Sequence, residues 1–524
     1  MKKVIFLSVF TSALAACSVG PDYEPPKIPT EKSFMGQQVA TASSDPVALY
    51  WWKGFSDPIL DSLIVNAVKE NLTLQAAVAR VNQARALSQQ KLLNLFPTVT
   101  TSSDITNQRF ANQSAFGSLG GGSRRAFEVE IYSAGFDAFW EIDIFGRVRR
   151  SVEQAQGESE ATIADLEDAI RILVAEVAKT YFELRGYQEQ TKVAQHNAEN
   201  QDKVVGISDV LFKGGQSTEF DVMRSKALLY NTLATVPTLK AEAKNSMYKL
   251  AVLLGKQPQE LLGALEAPVG FPQYSGPISL GDPATLIQRR PDVRAAERRL
   301  AAATAGIGVA KGDLFPKVTF TGNVSVQARN FNDLLSDSGE SWNFGPKISW
   351  AAFDLPRVFA RVDAAEEVTK EALATYQQAV LTALQDVEGA LARFAASRER
   401  RDLLAKSVEE SQKAMEIAKT QYENGLVDLL PVLDAQRSVF TAQEQLTSSQ
   451  TELLTNLVAL YKALSGGWDG DISSPNDADV PEIGIDGTKN VQGNKPVPVE
   501  EQVPVQVVIP VDSSSVVDTT GAIN

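Results

Sequence analysis

Apolar positions along this chain follow two rhythms, one helical and one alternating, and each rhythm occurs twice. From Pro58 to Leu93, Ile59, Leu63, Ala67 and Leu72 recur at helical spacing; ARVNQARA continues the helix, and Pro97 stops it. The same helical pattern returns from Arg290-Pro291-Asp292-Val293 through AAERRLAAATAGIGVAKGDLF and ends at Pro316. Strict alternation follows. Val318, Phe320, Gly322, Val324 and Val326 alternate with Thr319, Thr321, Asn323 and Ser325. Trp342, Phe344, Pro346, Ile348, Trp350 and Ala352 alternate with Asn343, Gly345, Lys347 and Ser349. Each run is about nine to eleven residues long, the length a tilted strand needs to cross a bilayer with one face apolar. A half-buried sheet away from any membrane gives the same alternation. In the earlier copy Phe127, Val129 and Ile131 hold one phase, and Phe136, Ala138, Trp140 and Ile142 hold the other. That slip, near Ser133-Ala134-Gly135, reads as a bulge or a Gly bend. The strand from Thr98 to Phe110 is weakly patterned and is predicted mainly from its later counterpart.

Behind each strand pair the chain runs for more than sixty residues without Pro and with few Gly, over 148–213 and 358–424. At about 1.5 Å per residue, each stretch reaches on the order of 100 Å as a helix. Ile163, Leu166, Ile170, Leu173, Val177, Tyr181 and Leu184 step by three and four, as do Val380, Leu384, Val387, Leu391 and Phe394. That near-alternation predicts coiled-coil packing. Gly214-Gly215 and Asn424-Gly425 end the two runs, and a second helix then returns through Leu254 and Leu464. Two long antiparallel helical hairpins per chain are expected.

The repetition is exact enough to measure. LFPTVT begins at Leu95 and LFPKVT at Leu314, an offset of 219. Trp140 with Trp350, Arg147 with Arg357, Val148 with Val358, Gly215 with Gly425 and Val222 with Val432 all stand 210 apart. The difference of nine residues, 219 − 210, must lie between Phe96 and Trp140, where the first strand pair turns. A helix–strand–strand–helix unit is therefore used twice, over 46–256 and 257–466.

The ends of the chain carry other signals. Lys2 and Lys3 precede an apolar run from Val4 to Ala16 that is too short to span a bilayer, so 1–16 reads as a cleaved signal. Leu14-Ala15-Ala16-Cys17 resembles a bacterial lipobox, which implies cleavage before Cys17 and acylation of that residue. Ser18 resembles the outer-membrane sorting class. Residues 17–45, rich in Pro and polar side chains, read as a tether from lipid to body. Beyond Gly466 the composition shifts to Pro, Val, Asp, Ser and Gly, and 467–524 is expected to be mostly disordered.

Charge and chemistry narrow the function. The formal charge is −14, and −16 once Lys2 and Lys3 are removed. No basic stripe appears, so a nucleic-acid partner is not expected. Cys17 is the only cysteine and His196 the only histidine, which argues against thiol catalysis, a Ser-His-Asp triad or a Cys/His metal cage. Gly120–Gly122 sits in a polar loop and does not form a phosphate-binding motif. Neither a catalytic site nor a cofactor or metal site is expected.

Four membrane strands leave open edges whose backbone groups lipid cannot satisfy, so the chain must assemble with copies of itself. At this point specific motifs enter. CSVGPDY at Cys17, YWWKGFSDPILDSLI at Tyr50, RRPDVRAAE at Arg289 and NGLVDLLPVLDAQR at Asn424 resemble the outer membrane factor family, the TolC-like channels, in the lipoprotein branch that serves resistance-nodulation-division efflux systems. The resemblance implies a homotrimer of mixed α and β structure. A shared outer-membrane β-barrel would stand on a long periplasmic α-helical barrel, joined by a periplasmic adaptor to an inner-membrane pump. It further implies a periplasmic gate at Leu430, Asp434 and Arg437, with adaptor contacts at the tips: Gly215, Ser217, Gly425, Leu426 and Val427. Leu430 would form an apolar constriction and Asp434 an acidic ring tied by Arg437 to a neighbouring helix. An ordinary surface i,i+3 ion pair between Asp434 and Arg437 is the competing account. TolC carries an aspartate six residues after the turn glycine; here Pro431 stands there, and the first hairpin keeps an acid, Asp221, at the matching position. Outlets for protein secretion, and a structural coiled-coil lipoprotein without a pore, are the alternatives to an efflux duct.

Overall fold

The computed structural model describes residues 18–29, 31, 33–36, 47–275 except 111–126, and 278–466. The chain divides into two units, 1–483 and 484–524, and every described residue lies in the first. Cys17, the signal at 1–16, Gly120–Gly122 and the tail at 467–524 lie outside the described residues.

A 3-10 turn at Trp51–Phe55 leads into helices α1 (Pro58–Glu70) and α2 (Leu72–Leu93). Strands β1 (Thr98–Phe110) and β2 (Phe127–Ile142) follow, then the first hairpin, α3 (Arg147–Lys213) and α4 (Glu219–Leu253). Two short helices, α5 (Leu262–Leu265) and α6 (Pro283–Arg289), bridge to α7 (Pro291–Gly312). The second copy completes the chain with β3 (Lys317–Ala328), β4 (Glu340–Ser349), α8 (Leu355–Glu423) and α9 (Leu429–Ala463).

One expected helix is two. The apolar period runs unbroken through 58–93, but Asn71 has extended backbone (ψ 122°) and ends α1 while its carboxamide oxygen caps α2 through the Leu74 N–H at 3.0 Å. The break has a purpose in the packing. Asn71 Nδ2 donates 2.8 Å to the Leu253 carbonyl, tying the start of α2 to the end of α4. Adding the offsets of 219 and 210 gives Arg290 and Ala463 in the second copy, and there the Arg290 guanidinium donates 3.2 Å to the Ala463 carbonyl. Strand exits repeat in the same way. Trp140 Nε1 donates to the Leu95 carbonyl (2.9 Å) and Trp350 Nε1 to the Leu314 carbonyl (3.0 Å), so each returning strand is pinned to the helix end before its partner.

The four strands form one antiparallel meander in the order β1-β2-β3-β4. Directly paired residues share a face. One row reads Val99, Ala138, Gly322, Phe344, and the next reads Thr100, Asp137, Asn323, Asn343. Asn323 Nδ2 donates 2.8 Å to Asp137 on that polar face. β1 and β4 are left as free edges within the protomer. The expected bulge is not there: β2 pairs without interruption with β1 through Ser133, Ala134 and Gly135. The phase slip is instead a change of apolar face along a regular strand. From Tyr132 to Ile142 the apolar residues other than Phe139 lie on the Ala138 face, whereas Val129 and Ile131 lie on the Asp137 face.

The described residues of the N-terminal segment dock on the helices. Val19 N–H donates 3.0 Å to the Phe145 carbonyl, and the buried Arg150 guanidinium holds the Val19 carbonyl (3.2 Å) and Asp22 (2.6 Å). Gly20 (φ +104°) lies against the Gly308 Cα so closely that no side chain fits. Tyr23 hydrogen-bonds Glu297, and the Glu388 carboxylate accepts from Met35 N (2.8 Å) and Gly36 N (3.1 Å). The segment runs as a strap along α7 and α8.

Below the strap the roots of both hairpins meet in an aromatic core. Trp51 stacks on Tyr461 with ring centres 5.2 Å apart, and Phe55 packs on Phe182 and Tyr274. Burial of each such ring contributes about 2 kcal/mol or more. Arg290, almost wholly buried, adds bonds to Asp292 (2.6 Å) and Asp386 (3.1 Å). Burial pushes the Asp292 carboxyl upward, but the Arg290 hydrogen bonds and charge outweigh it and hold Asp292 below its ordinary value.

Candidate functional site at the hairpin tips

The two hairpins turn by one device. At the end of α3, Gln216 N–H bonds to the Leu211 carbonyl (2.9 Å) and Gly215 N–H to the Phe212 carbonyl (3.0 Å). At the end of α8, Leu426 bonds to Gln421 (2.9 Å) and Gly425 to Tyr422 (3.0 Å) in the same pattern. Gly215 (φ +74°) and Gly425 (φ +71°) take the left-handed position that this motif requires. Neither glycine has a neighbour where a Cβ would stand, so both turns present bare backbone outward.

Beyond the glycine the tips part company. In the first hairpin Thr218 caps α4 in a capping box: its N–H (3.1 Å) and hydroxyl (2.7 Å) donate to Asp221, whose own N–H returns 3.3 Å to the Thr218 hydroxyl. Ser217, expected at the docking surface, is half-buried and donates 3.1 Å to the same carboxylate. These bonds, led by the Thr218 hydroxyl, hold the Asp221 carboxyl below its ordinary value. Asp221 is thus engaged locally as a cap. In the second hairpin Asp428 is the N-cap residue without a side-chain cap bond, and Pro431 replaces Asp221.

On α9 one face is packed and the other is open. Leu429, Val432 and Leu433 are buried with Val204 of α3 and Tyr422 of α8 in one apolar cluster. Leu430 (43% exposed), Asp434 and Arg437 lie together on the opposite, exposed side. Asp434 and Arg437 form no ion pair with each other; the local i,i+3 pairing is not made. Leu426 is 73% exposed at the tip. Val427, expected to be exposed beside it, is half-buried and packs on the apolar cluster.

Two features went unread in the sequence although the 210 offset marks them. Subtracting 210 from Leu430 gives Phe220, which is 68% exposed, and from Asp434 gives Arg224, also exposed. The first tip therefore matches the second with an apolar residue at the same place and the opposite charge one turn on. Among the described residues no cluster of three or more potential metal-ligating side chains occurs, and no helix is long and apolar enough to cross a membrane.

Comparison with known proteins returns the same architecture. Residues 63–256 and 283–466 match the family model described as outer membrane efflux protein. The toluene efflux pump outer membrane protein TtgF of Pseudomonas putida is 30% identical over 488 residues, covering 90% of this chain and 99% of that protein. The pyoverdine export outer membrane protein OpmQ of Pseudomonas putida is 33% identical over 422 residues, 80% of this chain and 88% of the relative. The solved outer-membrane channel OprN superposes with a TM-score of 0.79 at 38% identity, over 86% of this chain and all of that one.

Proposed function

The chain belongs to the outer membrane efflux protein family, and from that premise we propose how its own residues serve a gated exit duct. Family members are trimeric channels that work with an adaptor and an inner-membrane pump, and this chain is the outer-membrane component of such an efflux system. The free edges of β1 and β4 pair with neighbouring copies, so three four-stranded sheets close one barrel of twelve strands. The pump supplies the energy, and small molecules leave through the duct without chemistry. Cys17, acylated, fixes the start of the strap to the outer membrane, and the cognate pump is of the resistance-nodulation-division type.

The gate is the open side of α9. Three copies of Leu430 constrict the duct and three of Asp434 ring it with negative charge, held to neighbouring helices by Arg437. The observation that carries this reading is that Asp434 and Arg437 stand exposed on one side of α9 with no ion-pair partner inside the protomer. Each is left to a partner beyond it. Gly215, Gly425 and Leu426 form the contact surface for the adaptor's helices, with Ser217 and Val427 supporting the turns from within. The test is permeability in cells that rely on this channel: Asp434→Ala/Arg437→Ala should admit a large polar antibiotic that the wild type excludes, at unchanged trimer levels. Unchanged exclusion would remove the gate from these residues.

A further inference from the structure

Toward the tips the long helices of the protomer pack side by side in the order α4, α3, α9, α8, so α4 and α8 are its two open edges. The seam inside, between α3 and α9, has a definite antiparallel register. Residues level with one another have numbers that add to 640: Asn197 Nδ2 donates 2.6 Å to Gln443, and Ile207 and Leu433 share the apolar cluster at the second tip. The 210 offset carries α3 onto α8 and α9 onto α4, so a second use of this seam sets α8 of one copy against α4 of the next. Adding 210 on one side and subtracting it on the other leaves the sum unchanged. Ile417 then stands level with Met223, and Glu416 with Arg224.

The two edges carry what such a seam needs. Leu433 is 4% exposed and Ile207 half-buried, whereas their repeat partners Met223 and Ile417 are 53% and 59% exposed. Phe220, Met223, Ala227 and Tyr230 form an exposed stripe along α4 in steps of three and four, the spacing of a coiled-coil seam. Arg224 and Glu416 are exposed, opposite in charge, and make no ion pair with each other or with any other described residue of the protomer. We propose that α8 of each copy docks on α4 of the next in the register of α3 on α9, with Ile417 packed on Met223 and Glu416 paired with Arg224. The internal seam has Gly206 and Asp434 at the places of Glu416 and Arg224, so this ion pair belongs to the boundary between copies. It also selects head-to-tail order, because α8 against α8 or α4 against α4 brings like charges together. The occupant of both edges is a second copy of this chain, and the inference rests on the trimeric reading above.

In the trimer, Met223→Cys/Ile417→Cys should join neighbouring copies on mild oxidation, giving covalently linked dimers and trimers on a denaturing gel. Met223→Cys/Glu410→Cys moves one thiol seven residues, about 10 Å, along the same side of α8 and should not link. Each single substitution controls for Cys17. Arg224→Glu and Glu416→Arg should each lower the temperature at which trimers dissociate, and the two together should recover most of the loss. Intact trimers that link through the shifted pair, or through neither pair, would overturn the register and leave the family reading standing. Charge reversals whose losses add without recovery would overturn the ion pair. A wild-type chain that forms no trimer by native mass measurement would fail the trimeric reading itself, and this inference with it.

Discussion

The two repeats agree where the hairpins are rooted and disagree where they end. At the roots Trp140 and Trp350 make the same bond to the same place, and Asn71 and Arg290 clamp equivalent helix ends through different chemistry. At the tips the glycine turn is identical but its surroundings are not: a capping box with Asp221 on one side, Pro431 and an uncapped Asp428 on the other, and Arg224 set against Asp434. The duplicated frame is common to both repeats, and the differences between them gather at the free ends. The first tip is locked by its own hydrogen bonds, whereas the second is packed by an apolar cluster and leaves Asp434 and Arg437 without an ion-pair partner in the protomer.

The comparison can be broken hardest at the roots. Arg290→Ala empties a buried guanidinium site and leaves the partly exposed Asp292 and the Ala463 carbonyl without their donor, and should lower stability by about 2–3 kcal/mol, read as loss of trimer on heating. Asn71→Ala removes a neutral cap and one bond to Leu253, and should cost about 1–2 kcal/mol in the same measurement. Equal effects would mean that the two clamps are interchangeable despite their charge.

Sharper comparisons follow at smaller magnitude. Trp140→Phe and Trp350→Phe should each cost about 1 kcal/mol, and by the same amount, in thermal unfolding followed by circular dichroism. Unequal losses would show that the strand exits are not equivalent. At the tips Thr218→Ala should cost about 1 kcal/mol of local helix stability and Asp428→Ala a few tenths, seen as faster hydrogen exchange in the first turn of α4 but not of α9. The capping box also carries a pH signature. Asp221 is held below its ordinary value in the folded tip, so its stabilisation is complete above about pH 3.9, the unfolded carboxyl's value, and is lost as pH falls through the lower folded one. Exchange at the first tip should rise on acidification across that window, and the rise should shrink in Thr218→Ala, which keeps only the Thr218 N–H and Ser217 bonds to Asp221.

Much of this was legible in the chain because long periodic segments and a measurable offset carry the fold. β1, weak by its own pattern, lies at Thr98–Phe110 as the offset placed it. What stayed hidden depends on contacts distant in sequence. Asn71 breaks a helix whose apolar period continues through it, since its carboxamide serves Leu253 and Leu74 at once. The strap gives no periodic signal; its docking requires Gly308 and Arg150, more than a hundred residues away. β2 kept a regular ladder where alternation suggested a bulge, because a change of environment along a strand and a slip of register leave the same mark in sequence. Val427 was drawn inward by the cluster around Leu433, which no local pattern announces. Asp434 and Arg437 could be placed on one helical side from spacing, but spacing does not tell whether they pair with each other, and they do not.

In the proposed function the second tip is the gate, and the charges of Asp434 and Arg437 hold it shut. Its most direct test is single-channel conductance of the purified trimer in a planar bilayer, wild type beside Asp434→Ala/Arg437→Ala. A small, mostly closed wild-type conductance that rises sharply in the variant is the predicted result. A large wild-type conductance that the substitutions leave unchanged would contradict the account.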